Sequence, residues 1–180
     1  VNSKNLGAGE SRNIGITNSL GKYICFLDAD DSWKKNKLFF QINFMIMNNC
    51  SISHTTYEIR NSKEKYLGLR KAKSFESYKE LLPSCDIGLS TVVAKKKIFT
   101  KEIKFSKLKT KEDFVLWLKI LKKKICIRGI NKNLAIWRAT DNSLSSSFVQ
   151  KIKDAFVVYF EFMNFNLIKS LYYILVLSLN

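Results

Sequence analysis

The sequence predicts an α/β fold, an α/β/α sandwich around a mostly parallel sheet. Three observations predict it. Helical and strand patterns alternate along the chain, the strand candidates read as short apolar runs with little alternation, and acidic residues collect where the first such run ends. In open α/β sheets ligands gather outside the carboxyl ends of the strands, which is where "LDADDSW" falls.

Taken in order, "AGESRNIGITNSLG" predicts a helix over residues 10–20 closed by Gly21 as its C-cap, and Tyr23 to Leu27 predicts a strand buried on both faces. Ser32 is placed to cap a helix beginning at Trp33, with Leu38, Ile42, Met45 and Ile46 as its apolar stripe. A strand over 52–59 follows, then the polar excursion "RNSKEKYLG". A short helix over 74–82 stops at Pro83, and "IGLSTVVA" reads as another buried strand. "TKEDFVLWLKILKKK" is the clearest helix. Thr110 and Asp113 have capping-box spacing, Phe114, Trp117, Leu118 and Leu121 form one stripe, and lysines fill the last turn, where the helix dipole favours cations. "ICIRGI" and "LAIWRA" then predict two short strands joined through "NKN", and a last helix starts near Val149.

The 180 residues, 46% of them hydrophobic, suit one well-cored domain. Lysine and arginine total 31 against 15 acidic residues, a net charge of +16 that fits a nucleic acid or an anionic membrane surface. Only five of those cations are arginine, so the excess is weak support for either partner. Four cysteines without a C-x-x-C pair point to a reducing compartment and no structural zinc. The single histidine, His54, is read as structural, which takes support from a His-based metal site or a serine-type triad. The apolar run in "LIKSLYYILVLSLN" falls far short of the ~20 residues a spanning helix needs. It is read as a helix packed on its own domain, with an interfacial helix as the second reading.

Asp28, Asp30 and Asp31 lie within four positions at the end of the first strand. Like charges so close raise one another's pKa unless a cation offsets them, and hard oxygen ligands favour Mg²⁺ or Mn²⁺ with positions left for substrate phosphates. The residues alone leave open a plainer reading, in which Asp30, Asp31 and Ser32 only end the strand and cap the next helix. An EF-hand fails, because Trp33 and Phe39 stand where Gly and Glu are needed. A D-x-D phosphohydrolase and a basic, non-catalytic module for nucleic acid or anionic lipid remain as alternatives.

"GAGESRNIGITNSLGKYICFLDADDSWKKNKLFFQINFM", followed by "KTKEDFVLWLKIL" and "IWRATDNSLSSS", resembles the family-2 glycosyltransferases in three ordered segments. The resemblance implies a GT-A fold and transfer of a sugar, generally with inversion, from a nucleotide donor, expected to be of UDP type, to an acceptor hydroxyl. It implies Asp28 and Asp30 as the D-x-D pair holding Mn²⁺ or Mg²⁺, with Asp31 and Arg12 near the nucleotide and Asp113 as general base. Arg138 either faces the diphosphate as a second cation or forms a surface ion pair. Trp33 and Trp117 either border the sugar pocket or belong to the core, and Thr140 stands where many relatives have histidine.

The resemblance also implies that the family's opening nucleotide-binding segment is missing, which predicts poor donor binding, an exposed sheet edge and low solubility. It divides the chain into a partial transferase domain over 1–148 and a helical apolar tail over 149–180. The acceptor is expected to be a glycan or a lipid-linked sugar, in polysaccharide or surface-glycan synthesis, with no nucleic-acid partner. The protein is expected in the cytoplasm, with peripheral contact with the cytoplasmic membrane face as a second reading.

Overall fold

The computed structural model describes residues 5–139 and 147–179. Its strands are β1 (Tyr23–Cys25), β2 (Ser32–Trp33), β3 (Ile52–Asn61), β4 (Tyr66–Arg70), β5 (Val93–Lys95) and β6 (Arg128–Ala139). They form one sheet in the order β1-β5-β3-β6-β2, with β4 also paired to β3. The α/β class holds, but the expected mostly parallel sheet does not: β3 and β6 are parallel, and every other pairing is antiparallel.

The reason lies in the strand lengths and their connections. "ICIRGI" and "LAIWRA" do not fold back as a hairpin, because "NKN" offers none of the left-handed Asn-Gly or Gly pairs that a tight turn requires. Residues 128–139 instead run as one strand along β3, from Ser53 beside Arg128 to Asn61 beside Ala139, and the register shifts near Thr55 to Tyr57 absorb the polar residues. The "RNSKEKYLG" excursion is the turn and start of the β3–β4 hairpin. In "IGLSTVVA" a single 3₁₀ turn, Leu89–Thr91, precedes the short β5. Strand β1 is accordingly a three-residue edge strand and not one buried within a parallel sheet.

Helix α1 (Ala8–Asn18) ends at Ser19, whose N–H returns to the Gly15 carbonyl; Gly21 has no left-handed φ and is not the cap. Helix α2 (Lys37–Met47) begins later than expected because Ser32 and Trp33 pair with Ile136 and Ala135 as β2. Its buried face is Lys37, Gln41 and Met45, while Leu38 and Ile46 face solvent. Backbone acceptors decide that rotation: the Gln41 amide donates to the Ser53 and Thr91 carbonyls at 3.0 and 2.9 Å, and Lys37 donates to Gln41 at 2.9 Å.

Helix α3 (Tyr78–Leu81) is a single turn before Pro83. Helix α4 (Glu112–Lys122) buries the expected stripe and also Val115, Leu116 and Ile120, so it runs through the middle of the core. Helix α5 (Phe148–Val157) continues through a π turn, and α6 (Leu167–Leu179) follows. Tyr159 is fully buried, donates its hydroxyl to the Leu82 carbonyl at 2.6 Å and packs edge-on against Phe114 of α4. The segment after residue 148 therefore shares the core with α4, while α6 leaves Leu167, Leu171, Leu175 and Leu179 exposed. Among the described residues no helix is long and apolar enough to cross a membrane.

Candidate active site

The carboxyl end of β1 turns sharply. Asp31 donates its N–H to the Asp28 carbonyl at 3.0 Å, closing a four-residue turn that carries all three aspartates. Ser90, buried in the 3₁₀ turn, braces it: its hydroxyl oxygen accepts the Asp28 N–H at 3.1 Å, and its hydroxyl lies near enough to Asp31 to favour the ionised carboxylate. Trp33 donates its indole N–H to the Ser90 carbonyl at 2.7 Å, and Lys37 lies 4.5 Å from the Trp33 ring centre. Burial lowers the Lys37 pKa to about 8. Trp33 is thus a brace for the turn, and Trp117 lies wholly within the core. The reading in which Ser32 caps α2 fails, since Ser32 is in β2.

Burial raises the Asp31 carboxyl to about 6, against the hydrogen bonds from Ser90 and the Arg138 backbone. That backbone N–H reaches Asp31 at 3.0 Å, and the Arg138 guanidinium donates to the Asp30 carbonyl at 2.8 Å and to Glu64. Arg138 therefore stitches the turn to the end of β6. The Asp30 carboxylate accepts no hydrogen bond from a described residue. Thr140 and most of the third resembling segment lie outside the described residues.

Arg12 joins the first two segments. Its guanidinium donates to Asp28 at 2.7 Å and, through its other terminal nitrogen, to Glu112 at the start of α4. Burial alone would lower the pKa of this arginine, but the two carboxylates raise it overall. Neighbouring Asn13 clamps α1 in place: its amide spans the Phe105 carbonyl at 3.1 Å and N–H at 2.9 Å. Gly9 makes the approach possible, since a Cβ there would sit 2.2 Å from the Ser106 carbonyl oxygen.

Asp113 follows Glu112 in the first turn of α4. The capping box with Thr110 does not form, because Thr110 gives both its N–H and its hydroxyl to buried Asp154 of α5, at 2.7 and 2.8 Å. A buried carboxylate is the stronger claimant on those donors. Lys111 takes the N-cap place with φ 61, a left-handed conformation. Asp113 keeps one bond, from the Phe114 N–H at 2.7 Å. Burial first, and then the Glu112 charge, raise its carboxyl to about 7, where it can accept a proton near neutrality. His54 is structural: it is buried, its Nε2 meets the Lys73 carbonyl at 2.8 Å, and burial lowers it to about 4.

Among the described residues no group of three or more His, Cys, Asp and Glu side chains is placed to hold a metal ion. The donors at the turn are hard carboxylate oxygens, with Asp30 unclaimed and Asp28 holding Arg12 through one oxygen only. That set fits an open Mg²⁺ or Mn²⁺ site completed by substrate phosphates. Sequence reasoning missed Ser90, a lone serine in an apolar run, and the clamping role of Asn13.

The family model described as Glycosyl transferase family 2 matches residues 1–128. WfgD of Escherichia coli, a UDP-Glc:alpha-D-GlcNAc-diphosphoundecaprenol beta-1,3-glucosyltransferase, is 36% identical over 94% of this chain and 66% of that protein. TuaG of Bacillus subtilis, described as a candidate teichuronic acid biosynthesis glycosyltransferase, is 32% identical over 93% of this chain and 66% of that one. The structure of S. aureus TarS residues 1–349 with UDP-GlcNAc has a TM-score of 0.65 and 17% identity, covering 90% of this chain and 48% of that one. The chain thus spans just under two thirds of these curated relatives and about half of the TarS chain.

Proposed function

The chain belongs to glycosyl transferase family 2 and has the GT-A fold, and we propose that it moves a sugar from a UDP-type donor to an acceptor hydroxyl with inversion. The observation that carries this reading is the Arg12 bridge, which holds the D-x-D turn beside the N-terminus of α4 and so beside Asp113. The printed names of the relatives favour cell-envelope polysaccharide synthesis as the setting and a glycan or lipid-linked sugar as the acceptor. The exposed leucines of α6 and the excess of lysine suit peripheral attachment to the cytoplasmic membrane face.

In this reading Asp113 takes the proton from the acceptor hydroxyl as its oxygen attacks the anomeric carbon. The bond from that carbon to the diphosphate breaks, and its electron pair leaves with the diphosphate. Asp30 and Asp28 would hold Mg²⁺ or Mn²⁺, which supplies positive charge against the departing diphosphate. Asp31 keeps the turn closed through Ser90 and Arg138, and Arg12 fixes Asp28 relative to Glu112 and places positive charge beside the nucleotide. Residues 1–148 carry these groups, and 149–180 support α4 through Asp154.

Release of UDP from UDP-glucose, with water standing in for the acceptor, tests the assignment without knowledge of the acceptor. Asp113→Asn is expected to slow release at least about 100-fold with donor affinity retained. An unchanged rate refutes the general-base role.

A further inference from the structure

A cavity of about 420 Å³ opens beside the N-terminus of α4, is lined by none of the three aspartates of the D-x-D turn, and is of a size that takes small ligands. Its lining divides into two chemistries. Ile152 of α5 with Ile174 and Leu177 of α6 are apolar, whereas Arg70, Lys111 and Lys151 are cationic. Arg70 is paired to Asp86 at 2.6 Å, but neither Lys111 nor Lys151 forms an ion pair with a described residue. Two ammonium groups outside any such ion pair, of which Lys111 also feels the Asp113 carboxylate, stand over an apolar surface and complement a ligand that is anionic at one end and apolar at the other.

The cavity also adjoins the base. Lys111 stands two residues before Asp113 and is held in a left-handed conformation that costs a side-chain-bearing residue on the order of 1 kcal/mol. Cys85, another lining residue, is close enough to Asp113 that the carboxylate adds to the effect of burial in raising its thiol pKa.

We infer that this cavity receives the acceptor, a lipid diphosphate whose apolar chain lies along α5 and α6 and whose phosphates meet Lys111 and Lys151. A sugar carried on that diphosphate then has its hydroxyl beside Asp113. The inference rests on the transferase reading above, since it takes Asp113 as the base.

The test is calorimetry on the full chain without divalent ion, with farnesyl diphosphate as the probe and inorganic pyrophosphate and phosphatidylglycerol vesicles as companions. The unsubstituted chain is expected to bind farnesyl diphosphate at least about tenfold more tightly than pyrophosphate. Lys111→Gln with Lys151→Gln should weaken farnesyl diphosphate at least about tenfold. Ile152→Glu, at a partly exposed position, should weaken farnesyl diphosphate but not pyrophosphate. Manganese-dependent UDP binding should be unchanged in both variants. Farnesyl diphosphate binding that is absent, or indifferent to all three substitutions, overturns the inference. Competition by phosphatidylglycerol vesicles, lost in the same variants, also overturns it by assigning the cavity to bulk membrane lipid. A chain that binds UDP but not farnesyl diphosphate sinks this inference alone, whereas one that binds farnesyl diphosphate but not UDP sinks the transferase reading and leaves the lipid site standing.

Discussion

Arg12 and Asp28 are joined at 2.7 Å, and the same guanidinium holds Glu112, so one side chain of α1 ties the end of β1 to the start of α4. A planar fork can serve two carboxylates at once, and an ammonium cannot do so with the same geometry. Arg12→Lys is therefore expected to keep most of the stability and lower kcat/KM at least about tenfold. Arg12→Ala should cost about 2 kcal/mol in unfolding free energy, because buried Glu112 and partly exposed Asp28 lose their partner. Chemical denaturation and donor-release kinetics read the two effects separately, and equal kinetics for Arg12→Lys and the unsubstituted chain would reject the bridging role.

Asp113 predicts opposite responses of activity and stability to pH. Its folded-state pKa, about 7, lies above the ordinary 3.8, so the native state binds an extra proton between those values. The contribution to stability is fully present below about pH 4 and is lost as pH rises through about 7. Activity runs the other way, rising through the same range as the base ionises. Asp113→Asn should be inactive yet more stable than the unsubstituted chain above neutrality by about 1 kcal/mol, with the gap closing in acid. Thermal melts at pH 5 and pH 8 check the sign.

Thr110 and Asp154 test whether the segment after residue 148 supports the site. Asp154→Ala leaves two donors of Thr110 unpaired in a buried place and is expected to destabilise by about 3 kcal/mol, with Thr110→Val costing about 1 kcal/mol. If α5 were an independent tail, both substitutions would leave the melting temperature unchanged.

Gly9→Ala should be destabilising despite the helix propensity of alanine. The added Cβ would lie 2.2 Å from a backbone oxygen that cannot swing away, so α1 must shift and carry Arg12 with it. A loss of about 2 kcal/mol together with a raised KM for the donor is expected; a gain in stability would show that α1 does not approach Ser106 so closely.

How far the sequence foretold these features follows from what kind of force set each one. The α4 stripe was legible because Phe114, Trp117 and Leu118 obey one hydrophobic period, and the aspartates of the turn because three like charges need an explanation. Parallel or antiparallel pairing was not legible. The choice between a hairpin and one long β6 depended on β3 offering a full-length partner, which is a non-local fact. The rotation of α2 was not legible because hydrogen bonds from Gln41 to Ser53 of β3 and to Thr91 of the 3₁₀ turn outweigh the exposure of Leu38 and Ile46. Thr110 and Asp113 matched a capping box by spacing, yet Asp154, forty-four positions beyond Thr110, claims the threonine. Local pattern identified the chemistry, and distant partners decided which side chains stayed available for it.

The most direct measurement is calorimetric titration of the full chain with UDP, with and without Mn²⁺, beside Asp30→Ala. The account predicts binding that is weak, as the sequence predicts, that requires the ion and that is lost in the variant, since the Asp30 carboxylate is the one at the turn that no described residue claims. Binding of equal strength without the ion, or undiminished in Asp30→Ala, would contradict it.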